Sequence, residues 1–293
     1  MSASWPRNEN TFGNFCYDAV RGSRFDSRKG EPELEAKCFE FQTATKTEAR
    51  AGLAAKAHNG GGNLMKPLTF EQLESLRRLD ACTLANAIET FHERLRNEGF
   101  MGHNVRCLFP HLQPMIGYAA TVKIRGSAPP TTGHLYSDRT DWWDYILSLP
   151  APRIVVVEDT ATRPGLGSLV GAVHMNILRA LHCAGVVTNG SVRDIPAAES
   201  AGFHYFSGGV SVSHAYVHIV DVGKPVEIDG LKIRSGDLLH GDLHGVQIIP
   251  VELASLIPQA AAKTAAEEQA LIALCRSPEF SVEKLRAAVK RKS

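Results

Sequence analysis

The chain has 293 residues, 44% apolar and 22% charged, enough to bury a core in one large domain or two small ones. Its 32 basic and 31 acidic residues leave a net charge of +1. No field of one sign is then available for nucleic acid or an anionic membrane, and neither is expected as a principal partner. No run approaches the roughly 18 apolar residues of a membrane span. The N-terminus has no apolar signal core and carries eight acidic residues before Met65. The six cysteines are widely spaced without a Cys-x-x-Cys, which suits reduced thiols in a cytoplasmic protein.

Residues 1–64 are rich in Asn, Gly, Ser and charge, lack any sustained period, and end in Asn59-Gly60-Gly61-Gly62-Asn63. Such a segment buries too little apolar surface to offset ordering, so it reads as a flexible N-terminal extension. An α/β domain is expected over residues 65–276, followed by a basic tail over 277–293. Thr69-Phe70-Glu71-Gln72 is a capping box opening a helix through Leu73, Leu76 and Leu79. A second helix is expected over 84–96, with Ala87, Ile88 and Phe91 on one face. A strand follows over 117–124. An amphipathic helix over 141–147 stops at Pro150. Arg153 to Val157 is continuously apolar after its first residue, as a parallel strand covered on both faces would be; Glu158 and Asp159 form its polar mouth.

Gly165-Leu166-Gly167-Ser168-Leu169-Val170-Gly171 leads into a helix expected over 172–184. A glycine-rich loop opening a helix presents backbone N–H groups to an anion. The spacing matches neither the dinucleotide fingerprint nor a phosphate-binding P-loop. Val186-Val187 reads as a buried strand parallel to 154–157, leaving the sheet at an Asn189-Gly190 turn. Arg193 and Asp194 then stand at the carboxyl end of a strand, where open α/β sheets place their ligand crevices. Pro196 sits in the first turn of a helix over 195–201. Beyond it the pattern turns to β: alternation over 210–213 and 215–222, a hairpin over 226–233 with an Asp229-Gly230 turn, and a last strand over 246–249. A long Ala-rich helix is expected over 253–275. His240-Gly241-Asp242-Leu243-His244 offers either metal ligands or local turn hydrogen bonds, and the turn is the plainer reading. His214 is a further candidate to face the crevice.

The run Gly165 to Gly171, then Ala180 to Gly185, then Val187-Thr188-Asn189-Gly190-Ser191-Val192-Arg193-Asp194 resembles the RraA-like family. Gly117-x-Ala119-x-Thr121-Val122, Gly236-Asp237 and Gly241-Asp242-x-x-Gly245-Val246 extend the likeness over roughly residues 66–275. That family includes class II 4-hydroxy-4-methyl-2-oxoglutarate/4-carboxy-4-hydroxy-2-oxoadipate aldolases, oxaloacetate decarboxylases and a ribonuclease E inhibitor. The resemblance implies a swivelling β/β/α-type domain with N-terminal helices and a C-terminal helix, assembled as a homotrimer or hexamer. It implies a divalent metal, Mg²⁺ before Mn²⁺, held by Asp194. A small 2-oxo acid would have its keto oxygen on Arg193 and its carboxylate at the helix start, Gly171, Ala172, Val173 and His174, with Arg193 and Asp194 carrying catalysis to pyruvate.

The aldolases of the family carry a carboxylate twenty-one positions before the arginine, and here that position is Ala172. Glu158 or Asp159 could stand in for it, and Glu267 or Glu268 could reach a neighbouring subunit's site. The departure leaves a second reading open: a catalytically weak or inactive binding or regulatory protein on the same scaffold.

Overall fold

The computed structural model describes residues 67–131 and 139–290. The expectations for residues 1–64 and for the last three residues of the tail lie outside it. Two helices open the described chain. Helix α1 (Phe70–Arg77) has the expected reciprocal box: Thr69 Oγ1 accepts the Gln72 N–H at 3.3 Å, and Gln72 Oε1 accepts the Thr69 N–H at 2.9 Å. Helix α2 (Ala81–Glu89) begins three residues before the expected start, because Asp80 caps it by accepting the Thr83 N–H at 2.8 Å. It stops well short of residue 96.

The remaining elements are β1 (Arg106–Cys107), β2 (Met115–Arg125), α3 (Asp141–Ser148), β3 (Arg153–Asp159), α4 (Ala172–Ala180), β4 (Cys183–Val192), α5 (Ile195–Ser200) and β5 (His204–Val210). Then come β6 (His218–Val222), β7 (Val226–Ile228), β8 (Leu231–Ile233), β9 (Leu238–Asp242), β10 (Gly245–Ile249), α6 (Ile257–Arg276) and α7 (Val282–Lys290). Helix α7 falls where a plain tail is expected, and none of its side chains is buried.

The main sheet runs in the order β1-β5-β4-β3-β2-β9-β10. Strands β2, β3, β4 and β5 are mutually parallel, with Ala120 opposite Val155, Val155 opposite Val186 and Val186 opposite Tyr205. The far edge of β2 is shared: its first half pairs antiparallel with β9, its second with β6. The sheet curls far enough that a side-chain carbon at Gly241, on β9, would lie 2.9 Å from the Phe206 ring on β5. The hairpin forms as expected, with both turn residues left-handed: Asp229 at φ 46° and Gly230 at φ 82°.

Strand β3 is buried on both faces, which explains its unbroken apolar run. Val155 and Val157 pack with Trp142 and Ile146 of α3, Met175 and Leu178 of α4 and Ala198 of α5. Ile154 and Val156 face the other way, onto Met115, Phe206 and the hairpin residues Val226, Ile228, Leu231 and Ile233. A third cluster joins α1 and α2 to α6 through Leu76, Leu84, Ile88, Leu253 and Ile257.

One expectation about the central stretch is corrected. The chain does not turn at Asn189-Gly190; β4 passes through both residues, and its register with β5 shifts between Thr188 and Ser191. Two contacts hold the irregularity in the sheet. The Gly190 N–H donates to Thr188 Oγ1 at 2.9 Å. The Asn189 amide pairs with the Asp159 backbone, accepting its N–H at 2.8 Å and donating to its carbonyl at 3.1 Å. The strand therefore leaves the sheet at Arg193-Asp194. Helix α4 is also shorter than expected, since Cys183 already starts β4.

Candidate functional site

Asp194 adopts the left-handed conformation, φ 56° and ψ 44°, and its backbone carbonyl accepts the N–H groups of Ala197 and Ala198 to start α5. Asp tolerates this region better than most residues. Its side chain turns back across twenty-two residues of sequence: Oδ2 accepts the Ala172 N–H at 2.7 Å. The Arg193 Nε lies 3.5 Å from the same oxygen, and the Arg193 N–H donates to the Val170 carbonyl at 3.1 Å. Helix α4 has no side-chain cap of its own at Gly171. Asp194 supplies it.

Gly171 is required by this contact. A Cβ there would sit 2.6 Å from Asp194 Oδ2 and 3.0 Å from Arg193 Cγ. The backbone at Gly171 is extended, so the demand is for space and not for an unusual conformation. A cleft of about 320 Å³ opens at this junction, lined by Trp143, Gly171, Ala172, Val173, His174, Ile177, Arg193, Asp194 and His214. Of the residues singled out from sequence, Gly171, Ala172, Val173, His174, Arg193, Asp194 and His214 thus share one cleft. Sequence reasoning missed Trp143 and Ile177. The adjacent Trp142-Trp143 pair was the available signal, since Trp142 fills the core while Trp143 keeps its indole N–H shielded from solvent without an acceptor among the described residues.

The positive end of the α4 dipole faces the cleft through Val173 and His174. The Ala172 N–H, expected to meet a ligand carboxylate, is instead taken by Asp194. His174 is buried, and its ring tilts against Trp142 at 6.5 Å. Burial first, then the neighbouring His214, pushes its pKa down to about 4, so it is neutral at pH 7.

Neither Glu158 nor Asp159 stands in for the absent carboxylate. Glu158 pairs with Lys123 at 3.0 Å. Asp159 is buried and shapes the loop after β3, Oδ1 accepting the Ala161 N–H at 3.0 Å and Oδ2 the Gly165 N–H at 2.8 Å. Glu268 accepts from Asn86 on α2 at 3.1 Å, and neither it nor Glu267 lines the cleft. The His240–His244 stretch follows the turn reading. His240 is buried with Nε2 2.9 Å from the Leu79 carbonyl, while Asp242 accepts the N–H groups of Ala81 and His244 at 2.8 Å.

The family profile of RraA-like proteins, described as Aldolase/RraA, matches residues 81–248. The chain belongs to the RraA-like family. A Halalkalibacterium halodurans relative, provisionally named a 4-hydroxy-4-methyl-2-oxoglutarate aldolase, is 31% identical over 104 residues. That alignment spans 35% of this chain and half the length of the relative. Among solved structures, an uncharacterized protein from Pseudomonas syringae pv. tomato superposes with a TM-score of 0.59 at 22% identity, over 80% of this chain and 99% of that one. Streptomyces coelicolor RraAS2, described as an unusual member of the RNase ES inhibitor RraA protein family, gives 0.55 at 19% identity, over 70% and 97%. At these identities the two structures speak for the fold alone, an RraA-like α/β architecture.

For a divalent metal the cleft offers one protein carboxylate. Among the described residues no group of three or more His, Cys, Asp or Glu side chains could hold one. Asp194 brings a single carboxylate to the cleft, partly exposed, with Oδ2 committed to Ala172 and Oδ1 remaining. One hard oxygen donor fits a largely hydrated Mg²⁺ and does not fit a zinc cage. Among the described residues no helix is long and apolar enough to cross a membrane.

Proposed function

We propose that this RraA-like protein is a divalent-metal-dependent lyase that cleaves or decarboxylates a small 2-oxo acid to pyruvate. The observation that carries the reading is the convergence of the Arg193 guanidinium, the Asp194 carboxylate and the positive end of α4 on one cleft. Cleaving the bond two carbons from the carboxylate of a 2-oxo acid leaves its electron pair as an enolate, and the barrier falls where positive charge meets that oxygen. The Arg193 backbone N–H donates to the Val170 carbonyl and its Nε lies 3.5 Å from Asp194 Oδ2, so the guanidinium stands beside the carboxylate at the mouth of the cleft. It contacts the keto oxygen, while the α4 dipole at Val173 and His174 receives the carboxylate. Asp194 would hold a divalent metal, Mg²⁺ before Mn²⁺, which when bound would supply further positive charge to the reaction. His174, neutral and packed on Trp142, contributes shape and a hydrogen-bonding ring without adding charge.

The second reading, a binding or regulatory protein without turnover, has Ala172 in its favour: the side chain at that position carries no acid or base. Pyruvate release from 4-hydroxy-4-methyl-2-oxoglutarate and from oxaloacetate, with Mg²⁺ and with EDTA, separates the two. The lyase reading expects metal-dependent release that Arg193→Ala abolishes. Silence from the wild type on both substrates, with activity appearing in Ala172→Glu, would favour the binding protein. The trimeric or hexameric assembly and the cytoplasmic setting belong to the same proposal, and sedimentation of the purified chain tests the former.

A further inference from the structure

We infer that the cleft selects 2-oxo acids whose far end is apolar, a branched-alkyl or aryl group, over 2-oxo acids with a second carboxylate; this rests on the 2-oxo acid reading above. The cleft is charged at one end and carbon at the other. Arg193 and Asp194 stand at the start of α4, where the helix dipole adds positive charge. Beyond them the lining is Val173 and Ile177 on α4 and Trp143 on α3.

Val173 and Ile177 are one helical turn apart and both line the cleft, with Ile177 about 6 Å further along the α4 axis. That displacement is comparable to the span from C1 to C5 of an extended 2-oxo acid. Trp143 closes the same region from the neighbouring helix. It packs against the buried cluster that holds Trp142, Ile146 and Met175. Its indole N–H is shielded from solvent, so the part of the ring that meets the cleft is carbon. An aromatic ring and two branched aliphatic side chains hold an apolar group by removing its surface and their own from water.

A second carboxylate has no cation to receive it there. Arg193 is the one arginine or lysine lining the cleft, and its Nε already lies 3.5 Å from Asp194 Oδ2. His174 is held neutral by burial. Arg139, four residues before Trp143, forms a two-pronged pair with Asp141 at 2.8 and 2.9 Å. Arg179, two residues beyond Ile177, lines a separate cavity with Cys183 and His204. A carboxylate set against Trp143 and Ile177 would lose hydration without an ion pair in return, in a cleft that already holds the Asp194 charge. Cleavage of a 4-hydroxy-2-oxo acid of the favoured class breaks the C3–C4 bond and turns the C4 alcohol into a carbonyl, while C3 takes up a proton for the one the hydroxyl loses. The products are pyruvate and an apolar aldehyde or ketone.

The test reads binding and needs no turnover. Affinities for 2-oxoglutarate and for 5-methyl-2-oxohexanoate, in which an isopropyl group replaces the far carboxylate at nearly the same size, are measured by calorimetry with Mg²⁺. The titrations are run at pH 8, above the ordinary histidine range. Wild type should bind the isopropyl acid about tenfold or more tightly, the discrimination that extra methyl groups give in an apolar pocket. Trp143→Ala should narrow the gap. Ile177→Arg should lower the ratio by about fivefold or more by giving the far carboxylate a partner. Val173→Arg should act in the same direction, and Val173 is 73% exposed, so the core is not disturbed. Equal or tighter binding of 2-oxoglutarate to wild type overturns the inference and leaves the 2-oxo acid reading standing, and so does a ratio unchanged in both arginine variants. A wild type that binds neither acid overturns the 2-oxo acid reading and takes this inference with it.

Discussion

Asp194 Oδ2 and the Ala172 nitrogen are 2.7 Å apart, so a residue two positions past the end of β4 caps the helix that precedes that strand. The carboxylate does two things at once. It satisfies an orphan donor at the start of α4, and it holds its own left-handed backbone and the Arg193 side chain at the mouth of the cleft.

The two roles separate by substitution. Asp194→Asn retains an amide oxygen able to accept the Ala172 N–H, so thermal stability should stay close to wild type while Mg²⁺-dependent turnover disappears. Asp194→Ala should lose turnover and the cap together. A lost cap costs about 1 kcal/mol, or roughly 2–4 °C in Tm for a chain of this size. Equal melting temperatures for the two variants would argue against the capping role.

Gly171→Ala places a methyl group 2.6 Å from Asp194 Oδ2. The carboxylate must move, and the Ala172 cap goes with it. The expected outcome is a destabilisation of about 1–3 kcal/mol, together with loss of Mg²⁺ and oxaloacetate binding by calorimetry. Retained affinity would mean that the close approach at Gly171 is incidental.

Arg153 is a buried cation held by main-chain carbonyls. Its guanidinium donates to the carbonyls of Leu149 and Leu181 at 2.8 Å and of Leu147 at 3.2 Å, tying the ends of α3 and α4 to the start of β3. Burial lowers its pKa, but not enough to discharge it. Arg153→Met should cost about 3–5 kcal/mol in urea unfolding, because three carbonyls lose their donor in a place water cannot easily reach. A change under about 1 kcal/mol would show that the carbonyls find other partners.

His174 and His204 are both pushed down to about 4 by burial. A histidine with a depressed folded-state value binds fewer protons when folded than when unfolded, so stability rises with pH across that window. The contribution is complete above about pH 6.5 and is lost as pH falls toward 4. Between pH 6.5 and 5 each should remove roughly 2 kcal/mol from the unfolding free energy. Urea midpoints measured across this range check the slope, and His204→Phe should flatten it. A midpoint that does not fall on acidification would contradict the buried, neutral state of these rings.

Local chemistry determined much of this protein. The capping box at Thr69, the Asp229-Gly230 hairpin and the apolar β3 are written in neighbouring residues, since helix caps, turn conformations and strand burial depend on side chains a few positions apart. That is also why Gly171 to His174 and Arg193-Asp194 fall in one cleft: a glycine loop opening a helix and a strand followed by charge lie at the same end of adjacent parallel strands.

Only the tertiary structure decided what each of those groups bonds to. The Asn189-Gly190 pair reads as a turn by itself, yet the Asp159 backbone and Thr188 hold it within the sheet. Asp159 reads as a spare carboxylate, yet both its oxygens are spent on the loop at 161–165. Asp194 caps a helix twenty-two residues upstream, and Gly167 leaves room for His214, forty-seven residues downstream. Contacts between segments so distant in sequence arise only when the parallel strands bring their ends together. Local propensity therefore named the residues, and the packing of β3, α4 and β4 assigned their partners.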